Sequence, residues 1–188
     1  MQQTEVAGRI NVENVVACAN VGRTLDLEEF AWLTEDVEYH PTKFPGLVLK
    51  LDSPKSVTLI FKSGKLVCTG ARSTELAKKA LKRVFQMLRS GGIELMKEPI
   101  IEIHNIVASG SLGCKVLLEE TARQLPKSMY EPDQFSGLIH RTSNPKSVIL
   151  VFASGKLVCT GRKILEDIYR AVSNLRSTLD DKRLLVCK

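Results

Sequence analysis

The chain is written twice. Adding 91 to any position in residues 10–70 lands on its counterpart in residues 101–161 without a gap, and 28 of those 61 positions are identical. The longest shared block is SGKLVCTG, at residues 63–70 and 154–161. Around it fall Pro54-Lys55-Ser56-Val57 with Pro145-Lys146-Ser147-Val148, Phe44-x-Gly46-Leu47 with Phe135-x-Gly137-Leu138, Phe61 with Phe152, and Asn14 with Asn105. Two copies of about 90 residues are too few and too long for a solenoid, so two equivalent half-molecules about a pseudo-dyad are expected. Their bounds are placed at residues 8–98 and 99–188.

Within one copy the pattern predicts strand, short helix, four strands, long helix. Residues 10–20 are rich in Val and Ile. Asp26, three residues before Glu29, opens a short helix over 26–33. Extended runs at about 37–40, 45–51, 56–61 and 65–69 are parted by Pro41, Asp52-Ser53-Pro54 and Ser63-Gly64, which are turn signals. They read as an antiparallel meander. A helix over 73–88 places Leu76, Ala77, Ala80, Leu81, Val84 and Leu88 on one face, and Lys78, Lys79, Lys82 and Arg83 mostly on the other, before Gly91-Gly92. The second copy closes likewise with Ile164, Leu165, Ile168, Val172, Leu175 and Leu179. The fold class is therefore α+β.

The strands are apolar on both faces, although each copy offers helices enough to cover only one. In Val57-Thr58-Leu59-Ile60-Phe61 the alternate sets are Val57, Leu59, Phe61 and Thr58, Ile60. In Lys65-Leu66-Val67-Cys68-Thr69 they are Lys65, Val67, Thr69 and Leu66, Cys68. Leu66 and Cys68 suit a helix-facing core. The set Leu59, Phe61, Val67, with Lys65 and Thr69 at its margin, recurs as Leu150, Phe152, Val158, Lys156 and Thr160. Strands buried on both faces also occur in sandwiches and parallel sheets, so periodicity leaves both readings open. Identical placement of donors and phenylalanines in the two copies favours an interaction surface.

Charge narrows the partner. Lys+Arg of 27 against Asp+Glu of 21 leaves +6, which favours a polyanion without naming it. There is no apolar run long enough to span a bilayer and no signal-peptide pattern at the N-terminus, so an intracellular protein is expected. The five cysteines include no CxxC, which argues against zinc and against a secreted disulfide framework, while leaving room for one oxidised pair. His40, His104 and His140 share no positions between the copies and have no ligand spacing. Ser63-Gly64-Lys65 ends like a phosphate loop, but a Walker sequence would need glycine where Leu59 stands. Trp32 is expected to pack in the core.

VENVVACANVG, KFPGLVLKLDSPKSVTLIFKSGKLVCTG and their second-copy versions HNIVASGSLG and QFSGLIHRTSNPKSVILVFASGKLVCTG resemble the TATA-box-binding protein family across nearly the whole chain. The resemblance implies a curved, saddle-shaped antiparallel sheet of ten strands, with four helices on the convex side and DNA under the concave side. Without a long N-terminal extension the chain is similar to the archaeal branch, which implies a cytoplasmic, nucleoid-associated protein, or a nuclear one if eukaryotic. No enzymatic activity, cofactor, metal or small-molecule substrate is implied.

Carried over by position, the resemblance makes Phe44, Phe61, Phe135 and Phe152 intercalating wedges. Asn14, Thr69, Asn105 and Thr160 become the minor-groove donors, and Val16, Leu59, Val67, Val107, Leu150 and Val158 the apolar contacts. Lys43, Lys50, Lys55, Lys65, Arg141, Lys146 and Lys156 would meet phosphates. Glu131 and Asp133 would dock transcription factor B, ahead of the RNA polymerase assembly. Pro45 against Ser136 makes the halves inequivalent, and Gln134 stands where the family commonly has Leu. Two other classes stay open: the same fold as a DNA-binding module of a repair or nuclease system, and a protein scaffold using the open sheet.

Overall fold

The computed structural model describes residues 10–95 and 97–187. Two compact units divide it, one of Asn14–His104 and one of Asn105 onward together with the chain before Asn14. Each repeats one plan.

In the first repeat, β1 (Ile10–Asn20) leads to α1 (Leu27–Leu33), β2 (Val37–Tyr39), β3 (Gly46–Asp52), β4 (Lys55–Phe61), β5 (Lys65–Ala71) and α2 (Thr74–Ser90). The strand order is β2-β3-β4-β5-β1, and every pairing along it is antiparallel. Asp26 caps α1, its carboxylate accepting from the Glu28 and Glu29 N–H groups. Ser73 caps α2 by accepting from the Leu76 N–H. These two side chains fix where both helices start, because they satisfy amide donors that have no partner within the helix.

The second repeat runs β6 (Glu102–Ser111), β7 (Lys115–Val116), α3 (Leu118–Gln124), β8 (Ser128–Met129), β9 (Leu138–Arg141), β10 (Val148–Val151), β11 (Lys156–Arg162), α4 (Leu165–Asp181) and β12 (Leu185–Val186). Its order, β8-β9-β10-β11-β6, matches the first. The ten strands of the two repeats make an antiparallel sheet, and β7 and β12 pair separately. Leu117 and Ile164 stand where Asp26 and Ser73 stand in the first repeat, and neither makes a side-chain cap.

Burial separates the faces of each sheet as strand alternation requires. Val15, Ala17, Leu47, Leu49, Ile60, Leu66 and Cys68 are buried, and so are Ala77, Ala80, Leu81, Val84, Phe85 and Leu88 of α2. The other face is only half-buried. Two expected core positions move outward: Leu76 is 42% exposed and Ile164 56%. Phe85, fully buried, closes the α2 core instead. Truncating such a phenylalanine to Ala costs about 3–5 kcal/mol.

Trp32 overturns the packing expectation. It is 91% exposed, because Leu27 and Phe30 claim the buried face of α1 and a residue two positions beyond Phe30 sits about 200° around the helix from it. Among the cysteines, Cys114 and Cys187 form a disulfide across 73 positions, joining the chain next to β7 to the chain just after β12. Closing a loop of that length stabilises by about 4 kcal/mol in the chain-entropy account. Burial lifts the Cys159 thiol to about 11 and raises Cys68 as well, so both are neutral apolar fillers. In α4 the buried Asp167 accepts from Arg162 and Arg170. The Arg162 hydrogen bond chiefly holds its carboxyl below the ordinary range.

Candidate nucleic-acid interface

The open face of each unit is a grid of cross-strand rows. In the first unit one row runs Val48, Leu59, Val67, Cys18 and the next Lys50, Val57, Thr69. In the second the rows are Ile139, Leu150, Val158, Ser109 and Arg141, Val148, Thr160. Cys18 is buried, Lys50 and Arg141 are exposed, and the remaining residues of the rows are half-buried. Val48, Ile139 and Val148 are members that the sequence reading left out, and Val57, which shares its alternate set with Leu59 and Phe61, was not carried into the site. Extending the two-residue alternation from β4 into β3 would have found Val48.

Asn14 stands on β1 and Asn105 on β6, the last strand in the order of each repeat. The Asn14 Nδ2 donates to Thr69 Oγ1 at 2.9 Å, and the Gly70 N–H donates to Asn14 Oδ1 at 2.7 Å. Asn105 repeats both bonds with Thr160 and Gly161, each at 2.9 Å. Gly70 and Gly161 have φ of +92° and +95°, a conformation that glycine adopts without steric cost. They sit where the register with β1 and β6 shifts. The bulge aims the glycine N–H at the amide oxygen, which orients the amide. One Nδ2 proton then remains to meet an acceptor, and the threonine hydroxyl, which donates to the asparagine Oδ1 at 3.1 Å in the first unit and 3.3 Å in the second, must turn from it to meet another. Val16 and Val107 lie half-buried beside them.

Phenylalanine pairs lie toward the other end. Phe44 and Phe61 meet edge to face with ring centroids 5.8 Å apart, and Phe135 and Phe152 at 5.9 Å. Phe44 and Phe135 are 36% and 39% exposed, large for rings of this size. Gly46 and Gly137 make room for them: a Cβ there would stand 2.7 Å from Phe44 Cε1 and 2.6 Å from Phe135 Cε1. These glycines are positioning residues for the rings. Their spacing from the phenylalanines was visible in the repeat, but its purpose was not.

Lys43, Lys50, Lys55, Lys65, Arg141, Lys146 and Lys156 are all exposed. Lys50 is engaged with Glu38, Nζ to Oε1 2.6 Å, so it must exchange that partner to meet another anion. Glu131 and Asp133 are exposed in the turn before Phe135, whose N–H donates to the Glu131 carbonyl. His140 bonds Ser128, and burial lowers its pKa below the ordinary imidazole value. Among the described residues no His, Cys, Asp or Glu cluster could hold a metal. No helix among them is long and apolar enough to cross a membrane.

The family model described as transcription factor TFIID (or TATA-binding protein, TBP) matches residues 9–90 and 100–182. The chain belongs to the TATA-binding protein family. The TATA-box-binding protein of Pyrobaculum islandicum is 46% identical over 93% of this chain and 87% of that protein. The one from Methanothermobacter thermautotrophicus is also 46% identical, over 94% and 97%. A solved structure, Methanococcus jannaschii TBP, superposes with a TM-score of 0.85 at 43% identity, covering 92% of this chain and 99% of that one. The ten-stranded antiparallel sheet with four helices is thus the family fold.

Proposed function

We propose that this transcription initiation factor binds the minor groove of TATA-box DNA with the open face of its sheet, drives its two phenylalanine pairs between base steps and bends the duplex. It acts without catalysis. The reading is carried by the two Asn–Thr–Gly arrangements set among half-exposed valines and leucines. In the minor groove A·T and T·A both offer only the N3 and O2 acceptors, so a neutral amide and a hydroxyl suit either orientation. A guanine amino group would press on Val16, Val67, Val107 or Val158 and find no acceptor among them.

Wedges of this kind cost a few kcal/mol of unstacking per step, offset by the wider surface that a bent duplex buries, and this family is the standing example. The exposed lysines and Arg141 neutralise phosphates and supply the salt-dependent share of affinity. Glu131 and Asp133 stand clear of the sheet and suit transcription factor B, through which the RNA polymerase assembly follows. As in an archaeal cell, the protein would reside with the nucleoid in the cytoplasm.

A gel shift tests the reading with the full chain on a TATA-like duplex and on the same duplex carrying G·C substitutions. Each substituted pair is expected to cost about 1–3 kcal/mol. Equal affinity for both duplexes overturns the minor-groove assignment. In the same assay Glu131→Lys with Asp133→Lys removes the supershift by transcription factor B and leaves the binary band.

A further inference from the structure

The single tryptophan of the chain is 91% exposed, and its neighbour Leu33 is 62% exposed. Both belong to α1, whose Leu27 and Phe30 already fill the contact with the unit's interior. Glu28 and Glu29 lie four and three residues before Trp32, so their exposed carboxylates flank its ring one turn away. Glu35 and Asp36 follow directly and are exposed too.

Residues 24–42 hold six of the chain's 21 acidic residues and no Lys or Arg. That stretch therefore carries −6, and the rest of a +6 chain carries +12. Asp26 is used as the helix cap and Glu38 holds Lys50. Glu28, Glu29, Glu35 and Asp36 make no ion pair among the described residues.

Nothing in the fold requires this surface. At the equivalent places the second repeat has Arg123 for Trp32, Gln124 for Leu33 and Lys127 for Asp36, and α3 forms all the same. An exposed tryptophan is the side chain of a binding anchor, and the exposed leucine beside it widens the apolar patch. The surrounding negative charge repels phosphates, so the anchor's partner is not nucleic acid. It attracts a cationic one.

We propose that the Trp32 face of α1 docks a basic amphipathic segment of a partner protein. Trp32 and Leu33 enter the segment's apolar side, and Glu28, Glu29, Glu35 and Asp36 meet its lysines or arginines. The face lies on the helix, not on the open sheet, so the first unit's DNA contacts stay available. Because the second repeat keeps Glu119 and Glu120 for Glu28 and Glu29 but has neither the Trp–Leu anchor nor the later acidic pair, the partner engages one repeat only.

Trp32 itself is the reporter, since no other tryptophan contributes fluorescence. The full chain is titrated with a synthetic fourteen-residue amphipathic peptide having one leucine face and one lysine face, and separately with its glutamate counterpart. The lysine peptide is expected to give a saturable blue shift and protection from acrylamide quenching, and the glutamate peptide neither. With a dye-labelled lysine peptide read by anisotropy, Trp32→Arg should weaken binding about thirtyfold, the loss of a buried aromatic anchor. Glu28→Gln with Glu29→Gln should weaken it and flatten its salt dependence. DNA affinity should not change in either variant, and as Arg is the second repeat's own residue, folding is retained. No saturable shift, an equal response to both peptides, or unchanged anisotropy in Trp32→Arg overturns the proposal. So does a blue shift that grows with protein concentration alone, which would assign the face to a second copy of this chain.

Discussion

At the scale of single residues, the asparagines do two jobs that can be pulled apart. Asn14 Oδ1 accepts from the Gly70 N–H and holds the bulge, while its Nδ2 donates to Thr69 and keeps a second proton for the groove. Replacing the amide by a carboxylate preserves the first job and destroys the second. Asn14→Asp is therefore expected to keep thermal stability within about 0.5 kcal/mol, as for surface changes that break no buried feature. It should lose at least about 1–3 kcal/mol of affinity for A·T-rich duplex, the range for one lost base contact. Asn105→Asp should behave alike. Thermal melts and fluorescence anisotropy on the same samples decide it: intact binding would mean that the Asn–Thr pair only braces the bulge.

At the scale of elements, the two repeats share strands and helices but not the devices that start the helices. Ser73 caps α2 with its hydroxyl, whereas α4 begins after Ile164, which caps nothing and is 56% exposed. Installing the missing cap should help and removing the present one should hurt, each by about 0.5–2 kcal/mol. Ile164→Ser is expected to raise the melting temperature and Ser73→Ala to lower it. Calorimetry showing no change in either would mean that the helix starts are fixed by packing alone. The Asp26 cap of α1 was legible in the sequence, as were the strands, because alternation in Val57-Thr58-Leu59-Ile60-Phe61 and turn residues at 52–54 and 63–64 are local signals. The open face was legible only in part: Leu59, Phe61 and Val67 were found from their period, Val57 fell in the same alternate set without being carried into the site, and Val48 was not assigned. What failed had a tertiary cause. Leu76 and Phe85 both fit the apolar arc of α2, and only the position of the sheet decides which is buried. Trp32 was expected to pack, although Leu27 and Phe30 take the buried face of α1. Cys114 and Cys187 meet through the pairing of β7 with β12, two-residue strands too short to show a period.

At the scale of the whole molecule, the proposed interface separates attraction from deformation. Lysines and Arg141 act through phosphate charge and set the salt slope, about −0.9 in log–log units per phosphate neutralised. Phe44, Phe61, Phe135 and Phe152 are neutral and act through base stacking. Replacing Phe135 and Phe152 together by Ala should leave the slope unchanged while relaxing the duplex at one end. Replacing Phe44 and Phe61 should relax the other end, because the repeat gives each pair the same ring geometry and the same glycine behind it. The kink of about 80° known for the family gives the signal to lose. Energy transfer between dyes on the two duplex ends reads the angle, and a salt titration of the same complex reads the charge. A control separates folding from function: Lys65→Ala with Lys156→Ala should lower the slope by about 1.8 and leave the bent distance in place. If either phenylalanine double variant holds the ends at the unaltered distance, the rings only pack against one another and the bend must come from elsewhere on the sheet.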